Sequence, residues 1–133
     1  MRTILLVGED ELLLQTRAAV LHTVGAETIT CRAAGALSLL QQRRFQLIVL
    51  CHSIASDVCE ALTEAIAARW PAARILMVSP IRLCDQESAL PGIDAISSAD
   101  PERLVGRTVE LLGRSRPRRV DPGASQLRRA AGR

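Results

Sequence analysis

The sequence predicts an α/β fold: a five-stranded parallel sheet, ordered 2-1-3-4-5, with helices on both faces. Three observations lead to this prediction. Short apolar or β-branched runs alternate with segments of helical spacing along residues 1–113. One run is apolar throughout, as is typical of a central strand covered on both faces. Alternation of this kind produces parallel sheets joined by right-handed crossovers.

The predicted strands are short and end at polar or small residues. The run at 46–51, Gln-Leu-Ile-Val-Leu-Cys, is apolar on both faces and is expected in the middle of the sheet. The first run ends at Gly8, and the second is rich in β-branched residues. In chain order the predicted strands are 3–7, 27–31, 46–51, 74–79 and 93–96.

Helical spacing and helix-boundary residues fill the intervening segments. In the third helix Val58, Leu62 and Ile66 lie four apart, which predicts its inner face, and Ser56 is expected to cap it. Asp100 followed by proline predicts the start of the last helix. The predicted helices are 11–24, 33–43, 56–69, a weak one over 82–90, and 101–113.

Composition is that of one ordinary globular domain. The 133 residues are 48% hydrophobic and 23% charged, which argues against wholesale disorder. No apolar run reaches the roughly 18 residues of a membrane span. No small-residue cleavage site follows the first apolar run, so we expect a cytoplasmic protein that makes no membrane contact.

The basic residues are unusual in type and in position. All 17 are arginine, and the absence of lysine excludes Schiff-base catalysis and a Walker A loop. Residues 114–133 contain seven arginines and one acid, whereas residues 1–113 carry a net negative charge. We therefore predict a folded domain over 1–113 and a basic, flexible tail over 114–133. The tail is either a solubilising end or a contact for nucleic acid or an acidic partner.

Candidate functional residues follow the first, third and fourth strands. In a parallel sheet of this order, the working crevice lies at the carboxyl ends of strands 1 and 3. This places residues 8–10, residues 51–53 and Ser79 around one crevice.

At these positions the chain resembles the receiver domain of response regulators, which has a flavodoxin-like fold. The resemblance covers residues 2–112. It is carried by Ile-Leu-Leu-Val-Gly-Glu-Asp-Glu (4–11), Phe-Gln-Leu-Ile-Val-Leu-Cys (45–51), Ile-Leu-Met-Val-Ser (75–79) and Asp-Pro-Glu-Arg-Leu (100–104). It implies a role in two-component signal transduction.

The resemblance also implies a phosphorylation site, of which this chain keeps little. In receivers, an acidic pair after strand 1 holds Mg²⁺, and an aspartate at the end of strand 3 accepts the phosphoryl group. Here the acidic pair falls on Gly8 and Glu9, so one carboxylate is missing unless Asp10 takes its place. The acceptor position falls on Cys51.

The other two positions of the receiver site are a hydroxyl, which this chain keeps, and a lysine, which it lacks. The switch hydroxyl of receivers falls on Ser79 and is kept. The lysine after strand 5 falls on Ser97 or Ser98, and the chain has no lysine to replace it. We therefore expect a degenerate receiver, or pseudo-receiver, with no stable phosphorylation, no cofactor and weak Mg²⁺ binding at most.

Cys51 and the acidic loop also allow other interpretations. Cys51 is either a thiol sensor or a strand-end thiol that fills space, and nearby Glu9 and Asp10 are expected to raise its pKa. The two acids are either a residual metal site or a solvated loop that favours the first helix. No pair of cysteines has C-x-x-C spacing, so free thiols are expected.

Three functions follow from these observations. The first is a non-enzymatic interaction module that binds a signalling protein, such as a kinase or a regulator, without being phosphorylated. The second is a redox- or metal-responsive regulator that uses Cys51 and the acidic loop. The third is a nucleic-acid-associated regulator that acts through the arginine-rich tail. The partner, the input signal and the oligomeric state are left open.

Overall fold

The structure, a computed structural model, describes residues 2–79, 86–87 and 92–113. The predicted basic tail at 114–133 therefore lies outside the described residues. The elements are β1 (Thr3–Val7), α1 (Glu11–His22), β2 (Glu27–Cys31), α2 (Ala33–Gln42), β3 (Leu47–Leu50), α3 (Ser56–Arg69), β4 (Arg74–Ser79), β5 (Gln86–Glu87), β6 (Ala95–Ser98) and α4 (Pro101–Gly113).

The strands form one sheet in the order β2-β1-β3-β4-β6-β5. All pairs from β2 to β6 are parallel, and only the short edge strand β5 runs antiparallel, against β6. The five parallel strands confirm the predicted order 2-1-3-4-5. Register places Val7 opposite Leu50 and Leu50 opposite Met77, so the carboxyl ends of the three central strands lie level with one another.

Two apolar layers hold helices on both faces of the sheet. Alternate residues of each strand point to opposite faces, so neighbouring residues such as Ile48 and Val49 belong to different layers. One layer packs the strands against α2 and α3, and the other packs them against α1 and α4. Every residue of β3 is buried, as expected for a strand in the middle of a doubly covered sheet.

The chain after β4 differs from the sequence prediction. A weak helix was expected over 82–90, but its two described residues, Gln86–Glu87, are extended and pair with Ile96 and Ala95. The outer edge of β6 offers free backbone groups, and pairing satisfies them. The last parallel strand also begins two residues later than predicted, because Gly92 lies in a turn with φ of 82° and the Asp94 carboxylate accepts a bond from the Ile75 amide at 2.7 Å.

Helix α3 has the predicted bounds but a different inner face. The prediction placed Val58 inward, whereas this side chain is 43% exposed. The buried stripe is instead Cys59, Leu62, Thr63 and Ile66. Ser56 is the first helical residue, and Ala55 occupies the N-cap position without a side-chain bond. The stripe therefore shares Leu62 and Ile66 with the prediction but begins at Cys59, one residue after Val58.

Capping carboxylates begin the two helices that pack on the same face. Asp10 Oδ1 accepts a hydrogen bond from the Leu13 amide at 3.1 Å, and Asp100 Oδ2 accepts one from the Arg103 amide at 3.2 Å. The second of these confirms the predicted start of α4. In the described part of the chain, no helix is both long enough and apolar enough to cross a membrane.

Candidate functional site

The predicted crevice forms where β1 and β3 end side by side. The Cys51 amide donates to the Val7 carbonyl at 2.9 Å, and the Gly8 amide donates to the Cys31 carbonyl at 3.1 Å. These bonds extend the sheet ladder by one residue and bring Gly8 against Cys51. The Cys51 side chain is only 3% exposed. The strand ends therefore place the Gly8 and Cys51 positions together, as the sequence predicted.

Gly8 is packed so closely that its neighbours occupy the space of a side chain. A Cβ atom at this position would lie 3.2 Å from the Cys51 Cβ and 3.1 Å from both the Ser53 Oγ and the Leu14 side chain. Contacts this short require the neighbours to shift. A side chain at position 8, where the resemblance places a metal-binding carboxylate of receivers, therefore requires these neighbours to move by a few tenths of an ångström.

Ser53 joins the two loops that border the crevice. Its Oγ accepts a hydrogen bond from the Glu9 amide at 2.9 Å. The loop itself is turned by a bond from the Ile54 amide to the Cys51 carbonyl at 3.2 Å. The β1–α1 and β3–α3 loops are thus connected by a neutral hydrogen bond within the chain.

The two acids of the loop point to different helices and do not converge. Glu9 Oε2 accepts a bond from the Ala33 amide at the start of α2, at 2.9 Å, whereas Asp10 caps α1 through the Leu13 amide. Among residues 2–79 and 92–113, no three histidine, cysteine or acidic side chains are grouped to hold a metal ion. The residues at this crevice do not fit Mg²⁺, which needs several oxygen ligands directed at one point.

The sequence analysis did not identify Arg17, the charged side chain that interacts with the Cys51 thiol. Arg17 projects from α1 and is only 6% exposed. Its Nη2 lies 3.4 Å from the Nδ1 of His52, and its Nη1 is buried with no hydrogen-bond partner among the described residues. Arg17 lies three residues after buried Leu14 and four before buried Leu21, so its place on the inner stripe of α1 was readable from spacing.

The environment of Cys51 confirms the predicted direction of its pKa shift but corrects the cause. Burial raises the pKa of the Cys51 thiol, and Arg17 lowers it by hydrogen bonding and by its positive charge. The sequence prediction attributed the rise to Glu9 and Asp10. Those carboxylates serve the helix N-termini instead, so they are not the groups that shift Cys51.

His52 is exposed and is linked to Cys51 through Arg17. Burial lowers the pKa of His52, Arg17 lowers it further, and Asp10 opposes them. The neutral ring is therefore favoured, and it lies within reach of the Arg17 guanidinium.

The switch-hydroxyl and lysine positions lie on adjacent strand ends. Ser79 is half-buried at the end of β4 and lies opposite Ser98 of β6. Ser97 is fully buried, and its hydroxyl donates to the Ser98 carbonyl at 2.8 Å. Ser98 Oγ in turn accepts the Asp100 amide at 3.4 Å. The two serines at the lysine position are thus engaged with nearby backbone.

A cavity of about 430 Å³ lies on the α3 side of the crevice. It brings Cys51, His52 and Ser79 to one space, together with Cys59 of α3. Its walls are mostly apolar, and they include Met77 and other core side chains. Cys51 therefore borders a space that lies outside the sheet.

The other described cysteines lie beside negative charge. Burial and the Glu9 carboxylate raise the pKa of half-buried Cys31 to about 11. Burial raises the pKa of Cys59 as well; the Thr63 hydroxyl opposes this effect, and Glu60 adds to it. As predicted, Cys31, Cys51 and Cys59 are free thiols, whereas Cys84 lies outside the described residues.

Removing the charge of Glu9 is expected to make Cys31 more reactive. Glu9→Gln keeps an oxygen for the Ala33 amide but removes the charge that raises the Cys31 pKa. At a fixed pH below 9, alkylation of Cys31 should accelerate by about twofold or more, because the thiolate fraction rises as the pKa falls. Peptide mass spectrometry after timed alkylation measures the rate. Glu60→Gln is the matched control, and an unchanged Cys31 rate in Glu9→Gln would contradict the prediction.

The fold is that of solved receiver domains. A CheY-like response regulator receiver domain from Methanospirillum hungatei JF-1 is 20% identical, with a TM-score of 0.69 over 84% of this chain and 94% of that one. The receiver domain of an HD domain-containing protein from Pseudomonas fluorescens Pf-5 is 21% identical, with a TM-score of 0.69 over 84% and 86% of the two chains.

A third similar structure contains a receiver together with its kinase. It is a complex of the histidine kinase ThkA with the response regulator protein TrrA, and the matched chain is 17% identical with a TM-score of 0.70 over 85% of this chain and all of that one. By sequence, the chain matches no protein-family model and no curated protein. The comparisons therefore establish the CheY-like receiver fold.

Proposed function

We propose that this chain is a pseudo-receiver: a cytoplasmic, non-enzymatic module that binds a signalling protein in two-component-type signal transduction without being phosphorylated. The observation that carries the proposal is the crevice itself. It has a receiver fold around it, a thiol at the acceptor position, and the buried guanidinium of Arg17 at that thiol.

The chemistry of phosphoryl transfer supports this proposal. Transfer to a carboxylate needs a nucleophile, a metal held by acids and a second cation to neutralise the growing charge. Here Cys51 replaces the nucleophile, Gly8 supplies no carboxylate in place of the first acid, and Glu9 is bonded to the N-terminus of α2. Ser97 and Ser98 occupy the lysine position and bond to nearby backbone.

The kind of partner follows from the fold family. TrrA, whose fold this chain shares, was solved in complex with a histidine kinase, which supports a signalling protein as the partner. We propose a kinase or a regulator as the partner, bound through protein–protein contact. The affinity then depends on the shape of the module and not on its phosphorylation state.

Wild-type protein is expected to take no stable phosphoryl group. Incubation with a small-molecule phosphodonor and Mg²⁺ should leave the intact mass unchanged, because the chain has no aspartate at position 51 and no lysine, and its described residues include no cluster of metal ligands. A phosphorylatable receiver treated in parallel verifies the donor. Stoichiometric addition of one phosphoryl group to this chain would overturn the proposal.

Partner binding is tested separately from transfer. An autophosphorylated histidine kinase mixed with this chain should retain its label, while calorimetry or co-sedimentation detects a complex with at least one kinase or regulator of the same cell. Transfer of label to this chain would contradict the pseudo-receiver assignment. Absence of binding to every kinase and regulator of that cell would contradict the interaction role.

A further inference from the structure

We propose that Cys51 is an oxidation site, at which a small hydroperoxide converts the thiol to a sulfenic acid whose oxygen accepts a hydrogen bond from the Arg17 guanidinium. This inference goes beyond the proposed function, since it gives the module a chemical input. It concerns the thiol alone and stands or falls independently of any partner.

The first observation is a buried cation with one unpartnered nitrogen. Arg17 is only 6% exposed, and its Nη1 has no hydrogen-bond partner in the part of the chain that the structure describes. A guanidinium carries donors only, and a thiol sulfur is a weak acceptor. An unsatisfied charged donor in the interior is costly. An oxygen or a negative charge at Cys51 would therefore lower this cost by accepting a hydrogen bond from Arg17.

The second observation is the sign of the charge beside each described thiol. Cys51 lies beside Arg17, whereas Cys31 lies beside Glu9 and Cys59 beside Glu60. Burial opposes ionisation at all three cysteines and most strongly at Cys51, the most buried of them, so the charge beside each sulfur is what distinguishes Cys51. Arg17 stabilises a thiolate or a sulfenate at Cys51, while the carboxylates destabilise these anions at the other two sites.

The third observation is access. Cys51 lines the cavity of about 430 Å³ that also contains His52 and Ser79. A hydroperoxide is small enough to enter a space of this size. The Glu60 and Glu64 carboxylates also line this cavity, on the α3 side, whereas Cys51 packs with Leu14 and Leu21 on the α1 side. Cys51 is therefore only 3% exposed, but it borders a space that a small oxidant can enter.

The reaction balances with the hydroperoxide as the only co-reactant. The Cys51 sulfur attacks one peroxide oxygen, an S–O bond forms and the O–O bond breaks. The other oxygen leaves with the thiol proton, as water when the oxidant is hydrogen peroxide. Sulfur loses two electrons and the peroxide gains them. The new oxygen accepts a hydrogen bond from the Arg17 guanidinium, and a second thiol reverses the step through a disulfide.

The test compares the cysteines of the full-length chain with one another. Folded wild-type protein receives substoichiometric hydrogen peroxide in the presence of dimedone, and peptide mass spectrometry quantifies the sulfenic acid adduct at each cysteine. We expect labelling at Cys51 to exceed that at Cys31 and Cys59 by about fivefold or more, because a cation beside the sulfur stabilises its sulfenate, whereas a carboxylate destabilises it. In denaturant the three rates should become similar. Equal or lower labelling at Cys51 in the folded protein overturns the proposal.

A pair of variants tests the role of Arg17. Arg17→Gln should reduce Cys51 labelling by about fivefold, and Arg17→Lys should preserve part of it, because the charge remains. Labelling of Cys31 and Cys59 should stay constant in both. Arg69→Gln removes the same charge from the exposed end of α3 and is the matched control. Unchanged Cys51 labelling in folded Arg17→Gln overturns the proposal; if that variant does not fold, the wild-type comparison decides alone.

Discussion

Arg17→Met is expected to raise the free energy of unfolding by about 1–3 kcal/mol. Arg17 is almost fully buried on the inner stripe of α1, between Leu14 and Leu21, and no described residue accepts a hydrogen bond from its Nη1. Folding strips water from this guanidinium and returns too few hydrogen bonds. Methionine fills a similar volume with apolar atoms, so the cost of burying the charge disappears.

Arg17→Met should instead lower the free energy of unfolding when a carboxylate is present at position 51. In a Cys51→Asp background, Arg17 provides the counter-ion for a carboxylate that is otherwise buried and unpaired. Removing one partner of such a pair costs about 3–5 kcal/mol. Arg17→Met is therefore expected to stabilise the wild-type chain and to destabilise Cys51→Asp by that larger amount.

Denaturant unfolding of the four proteins measures this double-mutant cycle. Near-UV and far-UV circular dichroism verify that each variant is folded before its unfolding is analysed. Leu21→Ala is the control, since it removes a buried side chain from the same face of α1 and should lower stability by about 2–5 kcal/mol in both backgrounds. A cycle in which Arg17→Met has the same effect with cysteine and with aspartate would contradict the pairing of Arg17 with position 51.

The fold followed from the sequence because hydrophobic patterning alone determines most of it. Strand β3 is apolar on both faces and is buried on both, and the bounds of α3 and β4 agree with the prediction to the residue. The predicted boundaries were wrong where a single hydrogen bond or strand pairing to another part of the chain sets the end of an element. Asp94 bonds to the Ile75 amide and delays β6, and pairing to the sheet edge holds Gln86–Glu87 extended. Such bonds join residues far apart in sequence, so no local pattern reports them.

The site was predictable in position but not in chemistry. The parallel order alone brought Gly8, Cys51 and Ser79 to one edge of the sheet. The orientation of each side chain depends on the backbone amide to which it bonds. Glu9 bonds to the Ala33 amide at the start of α2 and is not directed at Cys51. Arg17 was overlooked because arginine on a helix is ordinarily exposed. Its spacing from the buried leucines on either side was the available signal.

Cys51→Asp alone is expected to leave the protein unresponsive to a phosphodonor. The introduced carboxylate meets Arg17, and an ion pair with a buried guanidinium reduces its reactivity as a nucleophile. Gly8 still lacks the first acid, and the Glu9 carboxylate still accepts the Ala33 amide. Restoring the acceptor therefore restores neither the metal site nor the missing lysine.

Backbone amide spectra and intact mass, each recorded with and without phosphodonor and Mg²⁺, measure the response of Cys51→Asp. Cys51→Asn is the matched control, because it has the same size and shape but no carboxylate, so any effect common to both variants is unrelated to phosphorylation. A receiver switches because the phosphoryl group favours one of two conformations through contacts that only one of them makes. The Ser79 hydroxyl and the Arg17 guanidinium lie near position 51, but the chain has no lysine and its described residues include no cluster of acids that would hold a metal ion. A phosphodonor-dependent shift in Cys51→Asp, absent from Cys51→Asn, would mean that these two groups suffice, and that the switch is intact apart from its acceptor.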